Sequence, residues 1–141
     1  VRVVILGCGR VGAQLAHLLD QAGHAVTIID SSNDSFQRLD SQFGGDKIQG
    51  NGTDEEVLRR AGIEQADAFA AVTNGDNRNI MASQIAKEIF HVKKVVCRIY
   101  DPIRQDIYKD LGLETFSPTI IGAEFLMHKL EGKQVSWVVT P

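Results

Sequence analysis

At 141 residues the chain has room for one domain with a proper core and little room for a second. A content of 43% hydrophobic and 23% charged residues is ordinary for a globular chain, and a formal charge of −3 gives no general electrostatic reason to expect a nucleic-acid partner. No apolar stretch approaches a membrane span, no signal-like segment opens the chain, and two cysteines suggest no disulfide framework, so the expected setting is cytoplasmic without direct membrane insertion.

The first predicted strand is Arg2–Leu6, whose apolar run Val3-Val4-Ile5-Leu6 leads straight into Gly7-Cys8-Gly9-Arg10-Val11-Gly12. A helix is predicted from Arg10 to Gln21, stopped at Gly23. The second strand, Ala25–Ile29, ends in Asp30, eighteen residues past Gly12. Strand, glycine turn, helix, strand and acid is the order of a dinucleotide-binding βαβ unit. In such a unit Gly7 permits the tight turn, Gly9 lets a pyrophosphate approach without a Cβ clash, and Gly12 lets helix and strand pack closely. The helix N-terminus favours phosphate, and Asp30 can accept hydrogen bonds from ribose hydroxyls.

Further along, residues 34–43 are predicted as a helix ended by Gly44-Gly45, and Asp46–Gln49 as the third strand. A helix opened by Thr53, with Glu56 completing a capping box, stops at Gly62. The fourth strand is predicted at Ala68–Val72, a helix at Asn77–Phe90 and the fifth strand at Lys94–Arg98. Asp101 and Pro102 open a helix ending at Gly112, Glu114–Phe116 is the sixth strand, and Pro118 opens a last helix running to Glu131. Ile120, Ile121, Phe125, Leu126, Met127 and Leu130 cover more than one face of that helix, which predicts a protein interface. Residues 134–140 alternate like the start of a strand, so a further segment is expected after residue 141, and the strand starting at once at Val1 suggests a trimmed chain.

Six strands alternating with helices predict a doubly wound α/β fold. The sheet is parallel, six-stranded and Rossmann-like, of order 3-2-1-4-5-6, over residues 1–131, with residues 132–141 as a tail. Ligand loops in such a sheet follow the strand carboxyl ends. The candidate nucleotide-binding residues are therefore Gly7, Cys8, Gly9, Arg10, Val11, Gly12, Asp30, Ser31, Asn51, Gly52, Thr53, Thr73, Asn74 and Arg98. Arg10, on the first turn of the helix, is expected to contact phosphate. Ser31 and Ser32 follow Asp30 where a 2′-phosphate would need Arg or Lys, which favours NAD or an adenosine di- or triphosphate over NADP. Arg98 suits either a phosphate or an acidic side chain.

Cys8 reads as a small residue that the fingerprint tolerates; the alternative is a redox sensor whose thiol pKa is lowered at the helix N-terminus. Cys97 reads as a small core residue. The four histidines are scattered without metal-ligand spacing, and there is no Ser/His/Asp set or Cys/His pair. With no residues left over for a substrate domain, the chain reads as a sensor rather than an enzyme. An NAD-dependent oxidoreductase fragment is the alternative.

Over residues 1–131 the chain resembles the potassium-transport nucleotide-binding domain family, the N-terminal (TrkA-N) half of the RCK module of Trk and Ktr uptake systems and potassium channels. The resemblance rests on Gly7-Cys8-Gly9-Arg10-Val11-Gly12, Asp30, Gly50-Asn51-Gly52-Thr53-Asp54 and residues 71–79. Residues 96–99, Leu111-Gly112-Leu113-Glu114 and Ser117-Pro118 continue it. It implies a cytoplasmic regulatory subunit that binds NAD(H), ATP, ADP or AMP, forms homodimers or higher rings, and gates a membrane potassium transporter or channel. It also implies that the last helix crosses over to a neighbouring subunit. Two positions depart from the family: Asn51 stands where members often carry Asp, and Thr119 where cation-holding members often carry Glu, so no metal site is carried over.

Overall fold

The first strand is apolar along its whole inner length because it has a neighbour on each side. In the computed structural model, which describes residues 1–135, β1 (Arg2–Leu6) pairs in parallel with β2 (Ala25–Asp30) and with β4 (Ala68–Ala71). β3 (Asp46–Gln49) flanks β2, and β5 (Lys94–Arg98) and β6 (Glu114–Phe116) follow β4, giving one parallel sheet of order β3-β2-β1-β4-β5-β6. The expected doubly wound fold and strand order are both present. β2 runs one residue further than expected and β4 one residue less.

Alternate residues of β1 feed two cores, one on each face of the sheet. Val4 and Leu6 join Ile29, Phe69, Leu58 and Ile63 on one side. Val3 and Ile5 join Val26, Ile28, Ala13 and Ala16 of the following helix, and Phe36 and Phe43 on the other.

The helices are α1 (Arg10–Gln21), α2 (Glu55–Arg60), α3 (Asp76–Gln84), α4 (Pro102–Lys109) and α5 (Pro118–Leu130). Three expectations are corrected. Residues 34–43 are not a helix: a 3₁₀ turn spans Asn33–Arg38, Leu39 is extended, and the Asp40 carboxylate accepts the Gln42 N–H at 2.8 Å. That local bond offers the backbone an alternative to helix. α2 is capped by Asp54, which accepts the Glu56 N–H, while the Thr53 hydroxyl donates to Asn51 Oδ1 at 2.8 Å. The helix expected at Asn77–Phe90 is α3 followed by a π-helical turn over Ile85–Ile89.

α5 is held at its start by Ser117, whose hydroxyl accepts the Ile120 N–H. None of its residues is buried, and Ile121, Leu126, Met127 and Leu130 are exposed. Gln134 and Val135 lie in no strand, and the rest of the alternating tail falls outside the described residues. Among the described residues no helix is long and apolar enough to cross a membrane.

Candidate functional site

Gly7 leaves β1 with φ +110°, a left-handed value that side chains rarely adopt, and a Cβ there would meet the backbone nitrogen of Thr73 at 2.9 Å. A Cβ on Gly12 would collide with the Gly7 carbonyl oxygen, so the turn and α1 close on each other only with glycine at both places. Around Gly9 the space is open. Gly9 is the N-cap of α1 and supplies no side-chain cap, which leaves the first N–H groups of the helix without a capping side chain. Free N–H groups of this kind, at the carboxyl edge of the sheet, suit an anion.

Asp30, the last residue of β2, sits beside this turn. Its carboxylate accepts the backbone N–H of Cys8 at 2.8 Å and of Ser32 at 2.9 Å, one at each oxygen. These bonds set the orientation of the acid and tie the glycine turn to the β2 loop. Each carboxylate oxygen can accept more than one bond, so acceptor capacity remains for a ligand hydroxyl.

Cys8 is fully buried beneath the turn. Burial, and secondarily the Asp30 charge, push its thiol pKa up, with Arg38 and Lys47 pulling weakly the other way. The redox-sensor alternative required the opposite. The sequence places this thiol just before a helix N-terminus, yet burial is the largest influence on it and acts in the opposite direction. Cys97, also fully buried, is pushed up to about 11, mainly by burial.

The strand carboxyl ends enclose a cleft of about 730 Å³. Of the sequence candidates, Gly7, Gly9, Arg10, Val11, Asp30, Ser31, Asn51, Gly52, Thr73, Asn74 and Arg98 line it. Cys8 and Gly12 are buried behind the lining, and Thr53 is turned toward Asn51. Gly52 is needed where it is because a Cβ would run into the side chain of Leu6.

Sequence reasoning missed Ser35, Arg38, Arg78 and Tyr100, which also line the cleft. Arg38 reaches it from the 3₁₀ turn, its Nη1 donating to the Cys8 carbonyl at 3.4 Å. The expected lack of a cation after β2 is thereby corrected: a guanidinium eight positions past Asp30 lines the same cleft as that acid. Four arginines therefore face one carboxylate, and none of Arg10, Arg38, Arg78 and Arg98 has a carboxylate within ion-pair distance among the described residues.

Asn79 was also missed. It is fully buried, and its amide joins Thr73 to the carbonyl of Arg98 at 3.0 Å, fixing the ends of β4 and β5 relative to each other. Arg98 has no acidic partner among the described residues; its guanidinium carbon lies 4.1 Å from the centre of the Tyr100 ring. The one signal available beforehand was the polar cluster in residues 73–79, where a buried Asn has to be satisfied locally.

Comparison with known proteins bears on this arrangement. Residues 3–118 match the model of the TrkA-N domain. A Trk system potassium uptake protein TrkA from Streptomyces coelicolor is 47% identical over 139 residues, covering 97% of this chain and 62% of that protein. The chain spans about three-fifths of the length of this relative and of two TrkA homologues from Pyrococcus species. Among solved structures, the TrkA-N domain of the Escherichia coli inner membrane protein ybaL superposes with a TM-score of 0.81 at 18% identity, covering 92% of this chain and 96% of that one. GsuK bound to ADP superposes with a TM-score of 0.76 at 26% identity, covering 94% of this chain and 34% of that one.

Proposed function

The chain belongs to the TrkA-N domain family, and from that premise we propose that it is the nucleotide-sensing part of a regulator of potassium transport. Residues 1–131 form the sensing unit, which binds NAD(H) or an adenine nucleotide on the cytoplasmic side and acts on a membrane potassium transporter or channel. The observation that carries the reading is the convergence on one cleft of the uncapped N-terminus of α1 and the oriented carboxylate of Asp30. Donors for phosphate and an acceptor for ribose are the two things an adenosine nucleotide needs. A relative whose structure holds ADP and curated relatives named for potassium uptake support the same reading.

The proposed binding residues are Gly7, Gly9, Arg10 and Val11 for the phosphates, Asp30 and Ser31 for the ribose, and Asn51 and Gly52 for the base side. Thr73, Asn74 and Arg98 serve the far end. Thr53 acts by holding Asn51, and Cys8 and Gly12 by shaping the turn. The protein works without turnover: binding biases its coupling to the transporter through a homodimeric or higher assembly in which α5 packs on a neighbour.

Isothermal titration with NAD, NADH, ATP, ADP and AMP tests the reading, and saturable binding of at least one is the expected result. Absence of binding to all five overturns it. Steady-state turnover of NADH with a panel of carbonyl substrates would instead favour an oxidoreductase.

A further inference from the structure

Across the sheet, the ends of β1, β2 and β3 follow one another in the order in which a nucleotide is built. The glycine turn closes β1, Asp30 closes β2, and the loop Gly50-Asn51-Gly52 follows β3 on the outer side of Asp30. Phosphate at the first and ribose at the second leave the third for the base, one strand spacing of about 4.8 Å further on. That loop is fixed in place. The Gly50 N–H donates to the Asp30 carbonyl at 3.0 Å, a Cβ on Gly50 would meet the Val57 side chain, and one on Gly52 would meet Leu6. Asn51, between the two glycines, is exposed and lines the cleft.

Both oxygens of Asn51 are engaged inside the loop. Its backbone carbonyl accepts the Asp54 N–H at 3.0 Å. Its Oδ1 accepts the Thr53 N–H at 3.0 Å and the Thr53 hydroxyl at 2.8 Å. A backbone N–H can only donate, so the side-chain atom facing Thr53 has to be the oxygen, and this fixes the orientation of the amide. Two bonds fill the lone pairs of Oδ1. What remains of the side chain for a ligand is Nδ2, whose two N–H groups have no partner among the described residues. Asn51 therefore meets a base as a donor only.

Purines differ at the six-position in the sense that matters to such a group. The amino group of adenine donates there, and the oxo group of guanine or hypoxanthine accepts. A donor opposite a donor leaves both unpaired, whereas a donor opposite an oxo group makes a bond.

Building on the nucleotide reading of the cleft, we propose that Asn51 faces the six-position of the bound purine and selects a 6-oxopurine. Guanosine and inosine phosphates then join the ligands of this cleft. Adenine nucleotides are held by phosphate and ribose, with no acceptor at residue 51 for their amino group. The choice rests on one atom: an amide nitrogen stands where a carboxylate of the same shape would present a second oxygen.

The test is calorimetric titration of the protein and of Asn51→Asp with ATP, GTP, ITP and purine riboside triphosphate, which has no six-substituent. Asp keeps the oxygen that holds Thr53 and puts an acceptor in place of Nδ2. In the unmodified protein, ITP and GTP are expected to bind about tenfold tighter than ATP and the purine riboside compound, the scale of one hydrogen bond. In Asn51→Asp the order of ATP and ITP is expected to reverse. The ratio is read rather than the absolute affinity, because an added negative charge in the cleft weakens every triphosphate. ATP binding as tightly as ITP, or tighter, in the unmodified protein overturns the base selection and leaves the nucleotide reading standing. An unchanged ratio in folded Asn51→Asp does the same. Should that variant fail to fold, equal binding of ITP and the purine riboside compound by the unmodified protein is the overturning result. Binding of none of the four also overturns the selection, and titration with NAD, NADH, ADP and AMP then tells whether the nucleotide reading falls with it.

Discussion

Asn79 and Thr73 exchange three hydrogen bonds across the β4–α3 turn. The Thr73 N–H and hydroxyl both donate to Asn79 Oδ1, at 2.9 and 2.6 Å, and Asn79 Nδ2 donates back to the Thr73 carbonyl at 3.0 Å. The second proton of that amide goes to the Arg98 carbonyl, so all four hydrogen-bonding positions of one fully buried side chain are filled. Replacing Asn79 by Leu keeps the volume close but strands the Thr73 N–H and the two carbonyls in a dry site. Asn79→Leu is expected to lower the unfolding free energy by about 3 kcal/mol, read from urea unfolding. A change below about 0.5 kcal/mol would show that the network is dispensable.

Asp30→Ala removes the proposed ribose acceptor and two backbone contacts at once. Affinity for ADP and NAD is expected to fall by about 1–3 kcal/mol in calorimetry, on protein whose melting midpoint is checked in parallel. Unchanged affinity in a folded variant removes Asp30 from the ribose site.

Arg10 opens α1 at the mouth of the cleft and is exposed, so replacing it leaves the core intact. Arg10→Ala is expected to weaken ADP and ATP by about tenfold while sparing adenosine. Equal losses for adenosine and its phosphates would mean that Arg10 supports the turn rather than reading charge.

Both thiols are buried with raised pKa values, Cys97 to about 11. Neither is expected to be alkylated by iodoacetamide at neutral pH until the chain unfolds, which mass spectrometry reads directly. The linkage sign follows from the same shift. Between the unfolded value of 9.0 and about 11 the unfolded Cys97 ionises while the folded one stays protonated, so stability declines as pH rises through that window. Rapid modification of Cys8 in the native state would reopen a redox role.

On α5, Leu126 and Leu130 are 60% and 88% exposed. Fully burying such side chains stabilises by roughly 1.5–3 kcal/mol each, which favours association through this helix. Light scattering is expected to report a dimer for the unmodified protein and a monomer that still binds nucleotide for Leu126→Asp with Leu130→Asp. A monomeric unmodified protein at high micromolar concentration refutes the interface.

The sheet and the glycine turn were legible in the sequence because they depend on patterns a few residues long. Val3 to Leu6 alternate between two cores only if β1 is central, and a helix can start three residues past Gly7 only with no side chain at Gly7 or Gly12. Asp30 could be placed for the same reason, since a strand end is a local event.

What needed the tertiary structure was everything decided by competition or by distance along the chain. Whether residues 34–43 become helix turns on the Asp40 carboxylate choosing the Gln42 N–H. The raised pKa of the Cys8 thiol turns on its burial, which is not written in the flanking residues. Arg38, Arg78 and Arg98 are separated by tens of residues and look like ordinary surface charges until three strand ends bring them to one cleft. Composition can count those arginines; only folding determines that none of them meets a carboxylate among the described residues.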